Sequence, residues 1–330
     1  MSRKLITIST IMTLMSTSVI ADVPNVAADI APIHSLVSRV MDGVGAPKLI
    51  VQSGASPHGY RLRPSEAKAL QDADHVFWMG EELTPWLDSA IGTLASKASV
   101  TTLLDQQGVI LHDFREGALF EAHDHSAHGD DDHDDHDDHD DHDDHKDHDD
   151  HDDHDDHDDH GSHDPHAWLS PENAKLWLNI IASKLSVSDP ENAATYFMNA
   201  AAGQAEIEAM IAEVKATLKP VQGGKFVVFH DAYQYFENDF DFYASGAISL
   251  GDSSDPSPAR IEKVQKRIRD EGIQCVLAEP QFKKGLVATV MEGSDATASV
   301  IDPLGAELET GPKFYTRLIK NMAKTLRNCL

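Results

Sequence analysis

Cysteine is nearly missing from this chain: Cys275 and Cys329 are the only two among 330 residues. A multi-disulfide framework is thereby excluded. In an exported protein an even pair points to a single disulfide, and closing so long a loop is worth roughly 4 kcal/mol in the chain-entropy account. A two-cysteine metal site is the competing reading, but the two residues stand much too far apart for any short metal-ligand spacing. Basic residues are scarce as well, with 27 Lys and Arg against 56 Asp and Glu and a net charge of −29. No part of the chain carries the basic patch that nucleic acid demands. Beyond the N-terminus there is no apolar run approaching the ~20 residues of a bilayer span. Two reaction signatures are also lacking, the His-Glu-x-x-His helix of zinc proteases and the Gly-x-Ser-x-Gly elbow.

The one apolar run lies at the start. Arg3 and Lys4 precede a mostly apolar stretch from Leu5 to Ile20, and Val19 and Ala21 are small residues at the spacing signal peptidase reads. Residues 1–21 therefore read as a signal peptide with Asp22 as the first mature residue. A soluble protein of the periplasm is the expectation.

What the chain has in excess is one tripeptide. From His133 to His160 it repeats Asp-Asp-His with Lys146 as the sole interruption, placing imidazoles at His133, His136, His139, His142, His145, His148, His151, His154, His157 and His160. Between Glu121 and Asp164 lie 23 acidic residues and one lysine, a net of −22 that leaves only −7 for everything else. Nothing here can be buried to offset the entropy of ordering, so a disordered insert at about 121–164 is expected. A solvated acidic linker would account for the aspartates but not for an imidazole at every third position. Neutral imidazole suits Zn²⁺, Cu²⁺ and Ni²⁺, and the insert reads as an auxiliary metal-collecting loop.

Outside the insert the pattern is α/β. Short apolar runs at 26–30, 48–52, 76–79 and 100–104 alternate with helical stretches at 64–71 and 85–94. After the insert, Ser170 and Pro171 open a helix to about Leu185, and Asp189-Pro190-Glu191 opens a longer one to about Leu218. The alternation resumes with strands at 226–229, 274–278 and 299–301 and helices at 257–271, 284–291 and 313–326. Two similar lobes with mainly parallel sheets, joined by one long helix, follow. Their boundaries fall at 22–188 for the N-terminal lobe, 189–219 for the linker helix and 220–330 for the C-terminal lobe.

Three histidines stand where open α/β sheets place ligands, at or just past strand ends. His58 follows the 48–52 strand, His230 follows 226–229, and His166 lies just ahead of the Pro171 helix. One such histidine is more often a hydrogen-bonded surface group. Three of them, in a chain with a metal-collecting insert, suit a Zn²⁺ ion with one position left over. His34 is a rival from a similar early position. His75 and His112 read as ordinary loop or edge residues.

The stretches Gly54-Ala55-Ser56-Pro57-His58-Gly59-Tyr60, His166-Ala167-Trp168-Leu169-Ser170-Pro171-Glu172 and Phe229-His230-Asp231-Ala232-Tyr233 resemble those of periplasmic zinc-binding proteins of the ZnuA type, as do Ala278-Glu279-Pro280-Gln281-Phe282 and Asp302-Pro303-Leu304-Gly305. The similarity spans nearly the whole mature chain. It implies a non-enzymatic solute receptor that captures Zn²⁺ and presents it to the membrane permease of an ABC importer, with periplasmic zinc-donor proteins as further partners and a monomeric state. It implies His58, His166 and His230 as metal ligands, and the His- and Asp-rich loop and the cysteine pair also resemble the zinc branch. The pattern departs at the fourth ligand. Where some zinc members carry Glu before the first histidine, this chain has Pro57; Asp302 corresponds to the late Asp of manganese-binding relatives. Water, an insert histidine and Asp302 stay open for that position, with Glu279 as a hydrogen-bond partner. An exported zinc hydrolase and a periplasmic metal buffer are the alternative functions.

Overall fold

The computed structural model describes residues 23–115, 120, 163–249, 251, 256–282 and 284–330. The expected signal peptide and the ten repeat histidines lie outside them. In the first lobe, strands β1 (Val26–Ala28), β2 (Lys48–Leu49), β3 (His75–Trp78) and β4 (Ser99–Thr102) form one sheet in the order β2-β1-β3-β4, and every pair is parallel. Helices α1 (Ala31–Val40), α2 (Pro64–Gln71) and α3 (Pro85–Leu94) make the crossovers. In the second lobe, β5 (Phe226–His230), β6 (Ala247–Ser249), β7 (Cys275–Ala278) and β8 (Thr297–Val300) repeat that order as β6-β5-β7-β8, again all parallel. The crossovers here are α6 (Gln234–Phe240), α7 (Pro258–Glu271) and α8 (Lys284–Met291), and α9 (Phe314–Cys329) closes the chain. Helices pack on both faces of a parallel sheet, which is why the central strands are buried along their whole length rather than alternating.

Helix α4 (Pro171–Ser188) leads through a short 3₁₀ turn, Pro190–Asn192, into α5 (Ala193–Leu218). With 26 residues, α5 spans about 39 Å and links the lobes. Asp189 sets its start: the buried carboxylate accepts bonds from the Asn192 backbone, the Asn192 side chain and the Tyr196 hydroxyl. Gly203 sits inside α5 because a Cβ there would lie 2.9 Å from Leu178 of α4 and 3.1 Å from Arg39 of α1. The close crossing outweighs the helix propensity lost by using glycine. One continuous apolar core takes in α1, α4, α5 and α9 with strands of both sheets, so the lobes share packing instead of hanging from a hinge.

Several boundaries shift from expectation. The strand read at 48–52 pairs as Lys48–Leu49, although the Ile50 and Val51 amides still bond to Ala28 and Asp29. The last strand is Thr297–Val300 rather than 299–301. His75 is no loop or edge residue: it lies in interior strand β3, buried, with Nε2 2.7 Å from the Ser188 hydroxyl and burial holding its pKa below the usual value. Cys275 and Cys329 are disulfide-bonded with Cα atoms 5.6 Å apart, tying β7 to the end of α9. Among the described residues, no helix is long and apolar enough to cross a membrane.

Candidate metal centre

The parallel sheets direct their strand ends toward one small cavity. It is lined by His58, His166, His230, Glu279, Gln281 and the apolar residues Pro57, Trp168, Phe282, Pro303 and Leu304, with Ser56 at its edge. Each histidine arrives differently. His58 rides on the tight turn after β2, where Gly54 takes a φ of +84° that favours glycine. His166 precedes the 3₁₀ turn Ala167–Leu169 and helix α4, whose N-terminus is capped by Ser170 accepting from the Asn173 amide. His230 is the last residue of β5.

Both buried rings are oriented from behind. His166 Nδ1 lies 2.6 Å from Asp164 Oδ1, and His230 Nδ1 lies 2.7 Å from Glu279 Oε1. A carboxylate accepts but does not donate, so each Nδ1 carries a proton, and in the neutral ring each Nε2 then turns its lone pair toward the cavity. Those two Nε2 atoms are 3.4 Å apart. In the neutral rings two lone pairs meet there, and either a shared proton or a metal ion between them relieves their repulsion. Two corners of a tetrahedron around zinc, with Zn–N of about 2.0–2.1 Å, are separated by about 3.3–3.4 Å. The His58 ring centre is 5.5 Å from that of His166, which in turn is 5.2 Å from His230. The three rings converge without yet forming a closed donor set, for no group of three or more His, Cys, Asp or Glu among the described residues is arranged to hold a metal. His58, partly exposed, is the ring with room to adjust.

The other sequence candidates lie elsewhere. His34 belongs to α1, with Nε2 3.2 Å from the Pro47 carbonyl and Nδ1 3.4 Å from the Ser38 hydroxyl, and burial lowers its pKa. Asp302 turns its carboxylate into its own loop, accepting from the backbone amides of Leu304, Gly305 and Ala306 at 3.0, 2.8 and 2.6 Å. His112 packs its ring on Tyr235 at 4.7 Å. Glu279 fills the supporting role expected of it. Asp164 does the same for His166, though in sequence it reads as the last of the insert's acidic residues.

A buried ion cluster lies beside His230. Arg115 donates to both oxygens of Asp231 and, at 2.6 Å, to Glu237. Burial pushes Glu237 up to about 7 and raises Asp231, while Arg115 pulls both down. Burial alone would lower the Arg115 guanidinium, but its carboxylate partners carry it above its usual range. Nearby, Asp113 and His163 pair across an antiparallel bridge with His163 Nδ1 2.9 Å from Asp113 Oδ1, and the Asp164 amide bonds to the His112 carbonyl. The chain thus returns from the insert directly into the residue that orients His166.

The profile of the ZnuA family, described as zinc-uptake complex component A, periplasmic, matches residues 26–329. A protein of Brucella abortus (strain 2308) named high-affinity zinc uptake system protein ZnuA is 48% identical over 305 residues, covering 92% of this chain and 91% of that protein. The protein of the same name from Paracoccus denitrificans (strain Pd 1222) is 45% identical over 311 residues, covering 94% and 93%. A solved structure titled as that of ZnuA superposes with a TM-score of 0.71 at 19% identity, covering 93% of this chain and 99% of the other. A mutant of a laminin-binding adhesin from Streptococcus agalactiae does so equally, with a TM-score of 0.71 at 20% identity over 93% and 99%. At such identities the superpositions speak to the fold alone, whereas the profile and the close relatives together establish that the chain belongs to the ZnuA family of periplasmic zinc-uptake components.

Proposed function

We propose that His58, His166 and His230 bind Zn²⁺ through their cavity-facing nitrogens, and that the chain captures the ion in the periplasm for delivery to the permease of an ABC importer. The observation that carries this reading is the Nε2 pair 3.4 Å apart, each ring pinned from behind by a buried carboxylate. Carboxylate–histidine pairs of this kind fix the tautomer and raise the basicity of metal ligands. Imidazole-dominated coordination favours Zn²⁺ over Mn²⁺. The zinc is cargo. On the role of its family we read the protein as a receptor and not an enzyme, acting as a monomer with lobes at 22–188 and 220–330 joined by the helix at 189–219. Asp302 stays outside the ligand set we favour, because ligation would compete with the three amide bonds that close its turn.

Replacing His166 or His230 by Ala, each read by calorimetry in competition with a chelator, should abolish tight binding of one zinc while thermal unfolding of the apo form changes little. Undiminished tight binding in either variant removes that ring from the site. The repeat histidines His133 to His160 act in this reading as a collector or sensor, raising the local zinc concentration at the cavity. Deleting residues 124–162 should then slow uptake when zinc is scarce and leave the affinity of the single tight site intact; unchanged uptake under scarcity discards the collector.

A further inference from the structure

Gln281 is unusual among the residues lining the cavity. Both atoms of its amide, Oε1 and Nε2, are buried and have no hydrogen-bond partner in the protein. Elsewhere in the site buried polar groups are matched: Asp164 with His166, Glu279 with His230, and the Trp168 indole with the Pro303 carbonyl at 3.0 Å. Leaving a buried donor and acceptor unmade is expensive, and native proteins resolve such groups with ordered water or ligand. The cavity that Gln281 lines has a volume of about 20 Å³, with Phe282 and Trp168 as apolar walls. A polar space needs roughly 10–15 Å³ and two or more polar partners to hold a water. Gln281 lines the same cavity as the three histidines, and three imidazoles leave a four-coordinate zinc one position short.

We infer that Gln281 is a positioning residue that holds the water completing the zinc coordination sphere, with its amide oxygen accepting from that water. This rests on the three-histidine reading with water as its fourth ligand, and adds to it the side chain that holds that water. A metal-bound water is a strong donor, so a neutral amide oxygen stabilises it without bringing another anion to the ion. Glu279, fixed on His230, and Asp302, closed on its own turn, are thereby spared ligation. The arrangement also bears on metal choice: a fourth position filled by a held water suits a small four-coordinate ion and gives no carboxylate to a cation that prefers oxygen.

The test compares the full-length wild type with Gln281→Leu and Gln281→Glu, each loaded with one equivalent of Co²⁺ or Zn²⁺. Gln281→Leu should weaken zinc binding about tenfold, the loss of one hydrogen bond to a charged partner, and shift the visible Co²⁺ bands while four-coordinate intensity persists. Gln281→Glu, which restores the acceptor, should recover or exceed wild-type affinity. A merely structural role would lower the melting temperature of apo Gln281→Leu and leave the bands in place. Unchanged affinity and spectrum in Gln281→Leu overturn the proposal. His166→Ala is the separating control: if it too binds zinc tightly, the three-histidine reading has failed, and if it alone loses binding, only the role of Gln281 has.

Discussion

The two lobes are built on one plan and equipped differently. Register makes the correspondence residue by residue. Val26 pairs with His75 in the first sheet as Phe226 pairs with Cys275 in the second, and Ala28 pairs with Phe77 as Val228 pairs with Leu277. Two residues beyond, the first lobe has Ile30 and Met79, both apolar core residues, where the second has His230 and Glu279. The first lobe spends its strand end on structure: Asp29, fully buried, accepts from the Ile30 and Met79 amides at 2.7 Å each and is pushed up to about 7 by burial. The second places there His230, a ligand in the proposed site, and the carboxylate of Glu279 that orients it. The same backbone therefore serves as scaffold or as cavity wall according to two side chains at the carboxyl ends of adjacent strands, and the first lobe brings its cavity histidines, His58 and His166, from loops instead.

That contrast can be attacked at several depths. The largest effect after loss of a ligand should come from its supporting carboxylate. Asp164→Ala and Glu279→Ala should each weaken zinc binding about 10–100-fold, while Asp29→Ala, at the matching end of the first sheet, should cost stability and leave affinity nearly unchanged. Equal losses of affinity in all three, measured by chelator competition, would erase the distinction.

The lobes also differ in how the start of the third strand in each sheet is anchored: by a hydrogen bond from His75 to Ser188 in one, by the Cys275–Cys329 disulfide in the other. Replacing both cysteines by serine should cost about 2–5 kcal/mol in denaturant unfolding, with faster amide exchange concentrated in β7 and α9. Exchange spread evenly over both lobes would contradict that local role. Where the linking helix crosses the first lobe, Gly203→Val should cost about 1–3 kcal/mol by overpacking against Leu178 and Arg39; a stability gain would show the crossing to be slack. The smallest effect concerns pH. His75 has a pKa below its unfolded value, so the unfolded chain binds the extra proton and stability falls as pH drops through about 6.5. His75→Gln should flatten the decline in melting temperature between pH 7.5 and pH 5.5, and parallel curves for the two proteins would refute this.

Much of this plan was legible from residues because strands buried on both faces read as short apolar runs, and because Pro and Ser mark helix starts. The α8 helix falls where its pattern ends, at Met291. Helix α1 was not legible: Pro32 and three buried polar residues, His34, Ser35 and Ser38, blur its apolar stripe. Helix α6 and strand β6 are short and set among Asp, Asn and Gly, where tertiary contacts outweigh local propensity. At the site, histidines past strand ends announce themselves, and Glu279 did so through its motif. Asp164 could not, being one carboxylate among the 23 between Glu121 and Asp164; only the folded chain sets it apart, against the His166 ring. Gln281 lies in the same motif as Glu279, but nothing in the sequence marks its amide as orphaned, which only the folded chain shows.

The most direct measurement is a crystal structure of the zinc-loaded protein with anomalous data collected on both sides of the zinc edge. The account predicts one strong peak about 2.0–2.1 Å from the Nε2 atoms of His166 and His230 and from a His58 ring nitrogen, with a water on the side of Gln281. A peak coordinated mainly by carboxylate oxygens, or one lying away from this cavity, would contradict it.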